Sequence, residues 1–109
     1  MTVRRRSCRV LLVDDDDTFR RVMSAELARR GHDVVSAATG QAALEAAAEG
    51  DPDVILLDLR LPDLDGIEVL QKLREREVRA GVVVLTGHGA VDTAIRAIRL
   101  GAHDYLEKP

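Results

Sequence analysis

Hydrophobic and polar positions along the chain alternate between two kinds of pattern. Continuous apolar runs rich in β-branched residues lie at about residues 10–13, 54–57 and 82–85. Runs of this kind are typical of strands buried on both faces of a parallel sheet. A weaker strand is predicted over 33–37 and a short one over 104–106. The sequence therefore predicts five strands.

Four helical patterns separate these strands. The first has an apolar stripe and ends at Gly31, and the second is an alanine-rich segment over residues 41–49. The third and fourth have apolar residues at helical spacing, and Gly101 ends the fourth. Phe19 of the first stripe is expected to join the core. The stripes are Phe19, Val22, Met23 and Leu27; Ile67, Leu70 and Leu73; and Val91, Ala94, Ile95 and Ile98.

Strands that alternate with helices of about ten residues predict an α/β fold with right-handed crossovers around a doubly wound, five-stranded parallel sheet. The 109 residues fit one domain, with residues 1–7 expected to be flexible. A sheet of this kind needs helices on both faces. A fifth helix would be expected after Pro109, so we predict that the domain lacks it and leaves apolar surface beside the first helix.

Composition narrows the class of protein. Apolar residues make up 46% of the chain but aromatic residues only 2%, so the core must consist of Val, Leu, Ile and Ala. The net charge of −3 does not favour direct contact with nucleic acid. Cys8 is the single cysteine, which fits a reducing cytoplasm. No apolar stretch approaches the roughly 20 residues that cross a bilayer, so no membrane contact is expected.

Chemically useful side chains follow the strands at their carboxyl ends. Asp14 and Asp15 follow the first run, Asp58 the third, Thr86 the fourth, and Lys108 the last. Parallel sheets place their sites at this edge. A single Asp after a strand is more often a cap or turn residue, but the whole set favours a shared site.

Clustered carboxylates raise one another's pKa unless a cation neutralises them, and oxygen ligands suit Mg²⁺. A carboxylate can also attack phosphorus. Asp58 stands alone after its strand and is the predicted phosphoryl acceptor, with Thr86 and Lys108 available to the phosphoryl oxygens.

These residues resemble the receiver domain of bacterial two-component response regulators. The similarity runs from about Cys8 to the end of the chain. The motifs that carry it are Val10–Asp16, Leu56–Gly66, Val84–Thr86 and Gly101–Pro109. The resemblance implies a flavodoxin-like sheet of strand order 2-1-3-4-5. The closest type is the nitrogen-regulation type, on the basis of Arg60, His88 and the Asp-Tyr-Leu-x-Lys-Pro ending.

The resemblance also implies residue roles. Asp58 would be phosphorylated by the phosphohistidine of a sensor histidine kinase. Asp15, Asp58 and the backbone carbonyl of Arg60 would hold Mg²⁺, with help from Asp14. Thr86 and Lys108 would contact the phosphoryl oxygens, and the Lys108–Pro109 bond would be cis.

Signal transmission is implied in the same way. Thr86 would move toward the phosphoryl group and Tyr105 would turn inward behind it. The fourth helix and fifth strand would then present a changed face to an output domain, expected to be transcriptional, or to a second copy of the chain. The static alternative is a half-buried tyrosine with a wet hydroxyl. His88 either tunes water access to the site or is an exposed loop residue.

Two other functions stay open. A haloacid-dehalogenase-type phosphatase would use Asp14 as its nucleophile, because Asp14-x-Asp16-x-Thr18 follows an apolar strand, but it leaves Asp58 unused. An interaction module that takes no phosphate is disfavoured by the complete set of acidic residues, Thr86 and Lys108. The preferred interpretation is a phosphoacceptor signalling domain that catalyses only its own phosphorylation and dephosphorylation.

Overall fold

The computed structural model describes residues 7–87 and 91–108. Three of the predictions concern positions outside these residues: the N-terminal segment 1–6, His88, and the Lys108–Pro109 peptide bond. The assignment of one domain to residues 1–109 stays a prediction.

Strands and helices alternate along the described residues, as the sequence predicts. The strands are β1 (Arg9–Val13), β2 (Asp33–Ala37), β3 (Val54–Asp58), β4 (Gly81–Thr86) and β5 (Asp104–Glu107). The helices are α1 (Asp17–Arg29), α2 (Gly40–Gly50), α3 (Gly66–Glu75) and α4 (Val91–Arg99).

All four strand pairings are parallel, and the sheet order is β2-β1-β3-β4-β5. This confirms the predicted doubly wound architecture and strand order. The order changes direction at β1, with β3 on its other side. The crevice at such a point is where open α/β sheets bind ligands.

The main core lies on one face of the sheet. It combines alternate strand residues, such as Val13, Leu57 and Val84, with apolar residues of α2 and α3 and with Ala97 of α4. Alternation of side chains along each strand sends the intervening residues, such as Leu12, to the other face. Leu12 is also buried, so the central strands are covered on both faces.

Helix α1 packs against β1 and β2 but adds nothing to this main core. No residue of α1, which the structure describes in full, is buried, and Val22 is 60% exposed. The expectation that Phe19 joins the core is therefore wrong: it is only half-buried. The absence of a fifth helix, and the apolar surface it would leave beside the first helix, stay predictions. Within the described residues, no helix has the length and apolar character needed to span a membrane.

Candidate functional site

Strand register brings the polar residues at the strand ends to one edge. Val13 of β1 is level with Leu57 of β3, so Asp14 comes level with Asp58. Asp58 is in turn level with Leu85 of β4, which places Thr86 one residue beyond it. Lys108 follows directly after β5 and donates its backbone N–H to the Thr86 carbonyl at 2.8 Å. The edge of the sheet therefore assembles residues separated by almost the whole chain.

Three carboxylates and one ammonium form the centre of the site. Each of Asp14, Asp15 and Asp58 offers an oxygen within 4.8 Å of the others. Asp14 and Asp58 are buried, whereas Asp15 is exposed. The Lys108 Nζ lies 2.5 Å from Asp14 Oδ2 and 3.3 Å from Asp58 Oδ2. One cation thus joins the two buried carboxylates.

This arrangement shifts the pKa of two groups. Burial raises the pKa of Asp58, and repulsion from Asp14 adds to this effect, against the hydrogen bond from the Arg60 amide and the attraction of Lys108. For Lys108 the largest single effect is burial, which acts to lower its pKa. Its hydrogen bond to Asp14 and its attraction to Asp58 together outweigh burial, so the pKa lies above the ordinary lysine value.

The segment after β1 is held from both sides. The Asp14 amide donates to the Ala37 carbonyl at the end of β2 (3.1 Å), and the Arg20 guanidinium donates to the Asp14 carbonyl (2.8 Å). Asp14 Oδ1 accepts from the Asp16 amide at 2.9 Å, and Asp16 in turn caps α1. Within this run of acidic residues, Asp14 therefore belongs to the site, whereas Asp16 caps the start of α1.

The loop after β3, residues 59–65, holds Asp58 against the start of α3, and we call it the acceptor loop. Asp58 Oδ1 accepts from the Arg60 amide at 3.0 Å, and Asp65 caps α3 by accepting from the Ile67 amide at 2.8 Å. A Cβ on Gly66 would lie 2.5 Å from Leu59 Cα, closer than folded proteins allow. Only glycine therefore lets α3 begin this close to the acceptor loop.

Thr86, at the end of β4, forms its side-chain hydrogen bond with β5. It is 2% exposed, and its hydroxyl donates to the Leu106 carbonyl over a long 3.4 Å. It nevertheless lines one cavity together with Asp58, Arg60 and Thr93 of α4. Tyr105 is half-buried, packs against the core, and is level with Val84, two residues before Thr86 on the same face of the sheet.

The donor set fits a small, hard divalent cation. Carboxylate oxygens are the ligands that Mg²⁺ prefers, and three of them converge here from β1 and β3. Among the described residues, buried Asp14 Oδ2 is contacted by the Lys108 ammonium at 2.5 Å. Three carboxylates share this one ammonium, so an excess of negative charge remains for a divalent cation to neutralise.

Three residues at the site were not singled out for it from the sequence. Phe19 lies under the ammonium, with its ring centroid 4.7 Å from Lys108 Nζ, a cation–π distance. Arg20 supports the Asp14 backbone, and Thr93 lines the cavity of Asp58. An aromatic and an arginine in the first turns of α1 are common in any amphipathic helix, so the local pattern carried no signal for these contacts.

Comparisons with known proteins agree with this geometry. The response regulator receiver domain family matches residues 10–109. The regulatory protein AtoC of Escherichia coli is 43% identical over 93% of this chain, and the chain covers 22% of AtoC. The photosynthetic apparatus regulatory protein RegA of Rhodobacter capsulatus is 43% identical over 92% of the chain, which covers 54% of RegA. The chain thus spans between about a fifth and about half of these relatives.

A further relative and two solved structures give the same result. The DNA-binding transcriptional regulator NtrC of Escherichia coli is 39% identical over 92% of the chain, which covers 21% of NtrC. NtrX from Brucella abortus superposes with a TM-score of 0.90 at 34% identity, over 95% of this chain and 24% of that one. The receiver domain of a LuxO repressor protein from Vibrio parahaemolyticus has a TM-score of 0.87 at 35% identity, over 94% and 79%. Relatives of the nitrogen-regulation type are thus among the matches, as the sequence resemblance implied.

Proposed function

This chain belongs to the response regulator receiver domain family, and from that premise we propose that it accepts a phosphoryl group on Asp58. The donor is the phosphohistidine of a sensor histidine kinase. The single observation that supports the proposal most is the buried pair Asp14 and Asp58 joined by the Lys108 ammonium. Such a site is costly to fold and is expected where charge must be neutralised during chemistry.

The residues divide the work as follows. Asp58 Oδ1 is held by the Arg60 amide, which leaves Oδ2 on the side of the Lys108 ammonium for attack on phosphorus. The new oxygen–phosphorus bond forms as the bond from phosphorus to the donor nitrogen breaks. Lys108 then moves from the carboxylates to the incoming phosphoryl oxygens, because its three donors can rotate toward the new negative charge.

Mg²⁺ belongs to the same proposal. Asp14, Asp15, Asp58 and the Arg60 carbonyl would hold it. When bound, the ion lowers the repulsion between the carboxylate and the phosphoryl oxygens. Asp15, as the exposed member of the set, is the carboxylate that an entering ion meets first.

We propose Thr86 and Tyr105 as the switch. The hydrogen bond from the Thr86 hydroxyl to the Leu106 carbonyl is long and therefore weak, so the hydroxyl can leave it for a phosphoryl oxygen. Tyr105 lies two residues back on the neighbouring strand and could move into the vacated space. Because Thr86 and Thr93 of α4 line the same cavity, the movement would reach α4 and the α4–β5 face.

The wider setting follows from the relatives. NtrC is named a DNA-binding transcriptional regulator, and this chain covers only part of it. We therefore propose that a parent protein carries an output domain, that this domain controls transcription in the cytoplasm, and that the present chain itself contacts neither DNA nor membrane. Exposed Ile95, Ile98 and Leu106 make the α4–β5 face available to that output domain or to a second copy of the chain.

Mapping of the acyl phosphate tests the proposal. The chain is incubated with Mg²⁺ and acetyl phosphate, reduced with borohydride, and analysed by peptide mass spectrometry. Reduction at Asp58, absent in Asp58→Asn and unchanged in the exposed control Asp51→Asn, supports the receiver function. Reduction at Asp14 would instead support the phosphatase alternative, and no modified residue would revive the phosphate-independent interaction module.

A further inference from the structure

The acceptor loop carries a second carboxylate that the proposed chemistry does not use. Asp63 lies five residues after Asp58, and its side chain reaches across to the start of α2. Its Oδ1 accepts from the Gly40 amide at 2.7 Å, and its Oδ2 accepts from the Gln41 amide at 2.9 Å. Both oxygens of one carboxylate are therefore bound to the first two amides of another element.

These amides are among those that a helix cannot satisfy internally. Thr39 caps α2 by accepting from the Ala42 amide, so the N-cap side chain leaves Gly40 and Gln41 to Asp63. A negative charge at this end also interacts favourably with the helix dipole. The hydrogen bonds from Gln41 and Gly40 lower the pKa of Asp63, so the carboxylate is ionised at neutral pH.

Packing supports the same contact independently. A Cβ placed on Gly40 would lie 2.8 Å from the Leu64 Cβ and 2.9 Å from a methyl group of Val69. The start of α2 is therefore pressed directly onto the acceptor loop and α3. Because Gly40 allows this approach, the Asp63 carboxylate can reach two consecutive amides.

The contact also completes a closed path between the two carboxylate-bearing segments. Asp14 donates its amide to the Ala37 carbonyl at the end of β2, and three residues later the chain enters α2 at Gly40. Asp63 then ties α2 to the loop that follows Asp58. The backbones of Asp14 and Asp58 are therefore connected through α2 and the acceptor loop, in addition to the pairing of β1 with β3.

We propose that Asp63 is a positioning residue: it fixes the acceptor loop against α2 and thereby sets the spacing between Asp58 and the Asp14–Asp15 pair for cation binding. Its effect on phosphoryl transfer rests on the function proposed above. Asp63 does not touch the reacting atoms. It acts through the loop, whose Arg60 amide orients Asp58.

The test uses variants at both ends of α2. Asp63→Ala removes both contacts, and Asp63→Asn keeps one acceptor but turns an NH₂ group toward the second amide. The control, Asp51→Asn, removes the same charge at the other end of α2, where the Asp51 side chain is 94% exposed. Asp51 has a left-handed backbone conformation, which Asn also adopts readily. The wild type and the three variants are compared at a temperature at which circular dichroism shows that each of them is folded.

Two measurements report on the position of the acceptor loop and of its carboxylates, and not on whether the chain is folded. The exchange rate of the Arg60 amide is measured by NMR, and Mg²⁺ affinity by titration of amide shifts. We expect Asp63→Ala to raise the exchange rate and the Mg²⁺ dissociation constant by about fivefold each, the size of a lost helix cap. Asp63→Asn should have a smaller effect in the same direction, and Asp51→Asn none.

The outcomes separate this inference from the function on which it builds. Unchanged Arg60 exchange and Mg²⁺ affinity in Asp63→Ala overturn it, and so does a wild-type chain that binds no Mg²⁺. Equal effects in Asp51→Asn would also overturn it, since they would reflect charge alone. A chain that binds Mg²⁺ but acquires no acyl phosphate refutes the proposed function, while the Arg60 exchange rate and the Mg²⁺ titration still decide the role of Asp63.

A variant on α2 tests the same contact between Asp63 and the Gly40 amide. Gly40→Ala adds a methyl group that must displace Leu64. We expect it to increase Arg60 exchange and weaken Mg²⁺ binding as Asp63→Ala does, although the Asp63 carboxylate is intact. If Gly40→Ala stays folded and leaves both values at the wild-type level, the position of α2 does not control the acceptor loop.

Discussion

At the scale of single residues, the candidate site buries charged groups that reduce the stability of the fold. Asp58 is buried beside Asp14, and one ammonium serves both carboxylates. Burial favours the neutral form of Asp58 and therefore raises its pKa. A group of this kind weakens the folded state at neutral pH, because it binds protons more readily when folded than when unfolded.

Replacement of Asp58 by Asn should therefore stabilise the fold while it abolishes phosphorylation. The pKa of Asp58 is higher in the folded state, so the free energy of unfolding of the wild type falls as pH rises through the ordinary aspartate pKa of about 3.9 and the higher folded value. Asn does not titrate. Urea unfolding should show Asp58→Asn to be the more stable chain at pH 7, with the difference shrinking toward pH 3.

The exposed Asp51→Asn serves as the control and should follow the wild-type curve. If Asp58→Asn proves less stable than the wild type at pH 7, attraction to Lys108 outweighs burial and repulsion at this position, and the pKa of Asp58 falls on folding instead of rising.

Gly66 is the residue at which backbone proximity should matter most. A methyl group there would meet the Leu59 Cα and the Asp58 carbonyl oxygen, both of which are backbone atoms that cannot rotate away. Gly66→Ala should destabilise the fold by about 3 kcal/mol. Gly50→Ala, where a Cβ meets no described atom within 4 Å at the end of α2, should stabilise it by about 0.5–1 kcal/mol.

Chemical denaturation of the two glycine variants checks this contrast. Opposite signs support the tight junction between the acceptor loop and α3. A Gly66→Ala chain as stable as the wild type would mean that this junction can relax.

At the scale of elements, β4 and β5 divide their roles by side-chain alternation. Lys108 comes two residues after exposed Leu106, whereas Thr86 lies two residues after buried Val84 of the main core. By the same alternation, Asp14 and Asp58 follow Leu12 and Leu56 away from the main core. By this alternation, the Thr86 side chain leaves the sheet on the face opposite to those of Asp14 and Asp58, although Thr86 ends the neighbouring strand.

Thr86 is therefore expected to couple rather than to catalyse. In Thr86→Ala, Asp58 should still be phosphorylated by acetyl phosphate, but NMR shifts over residues 91–106 should respond much less than in the wild type. Thr86→Ser keeps the hydroxyl and should restore the response. A full response in Thr86→Ala would exclude the hydroxyl as the link to Tyr105 and α4.

At the scale of the whole molecule, the two faces of the sheet are unequally covered. Helix α3 buries five of its residues, including Val69 and Leu70, whereas α1, described in full, buries none. Helical stability in proteins comes mainly from the packing of an apolar face. The domain should therefore open first at α1.

Native-state hydrogen exchange measures this difference. Amides at the centre of α1 should have opening free energies at least about 2 kcal/mol below those at the centre of α3. Equal protection of the two helices would show that the edge contacts of α1, such as Arg20 with Asp14, stabilise it as well as a buried face would.

The pattern of apolar and polar residues was sufficient to predict most of the strands and the polar residues at their ends. Continuous apolar runs identified β1, β3 and β4, because strands covered on both faces need no polar positions. Asp14, Asp58 and Thr86 stand at the carboxyl ends of these strands and Lys108 follows the shorter β5, so all four could be predicted at one edge of a parallel sheet. The family resemblance added the strand order. The apolar runs and the polar residues that end them are local properties, since each depends on residues within a few positions of one another.

Only the tertiary structure decided which of these groups touch. Lys108 joins Asp14 to Asp58, Phe19 lies beneath the Lys108 ammonium, and Asp63 reaches the start of α2. Each of these contacts connects residues more than 20 positions apart in the chain. Such contacts depend on strand register and on angstrom-scale packing, as at Gly40 and Gly66. A local pattern determines which face and end of an element a residue occupies, but its partners are set by how the elements pack.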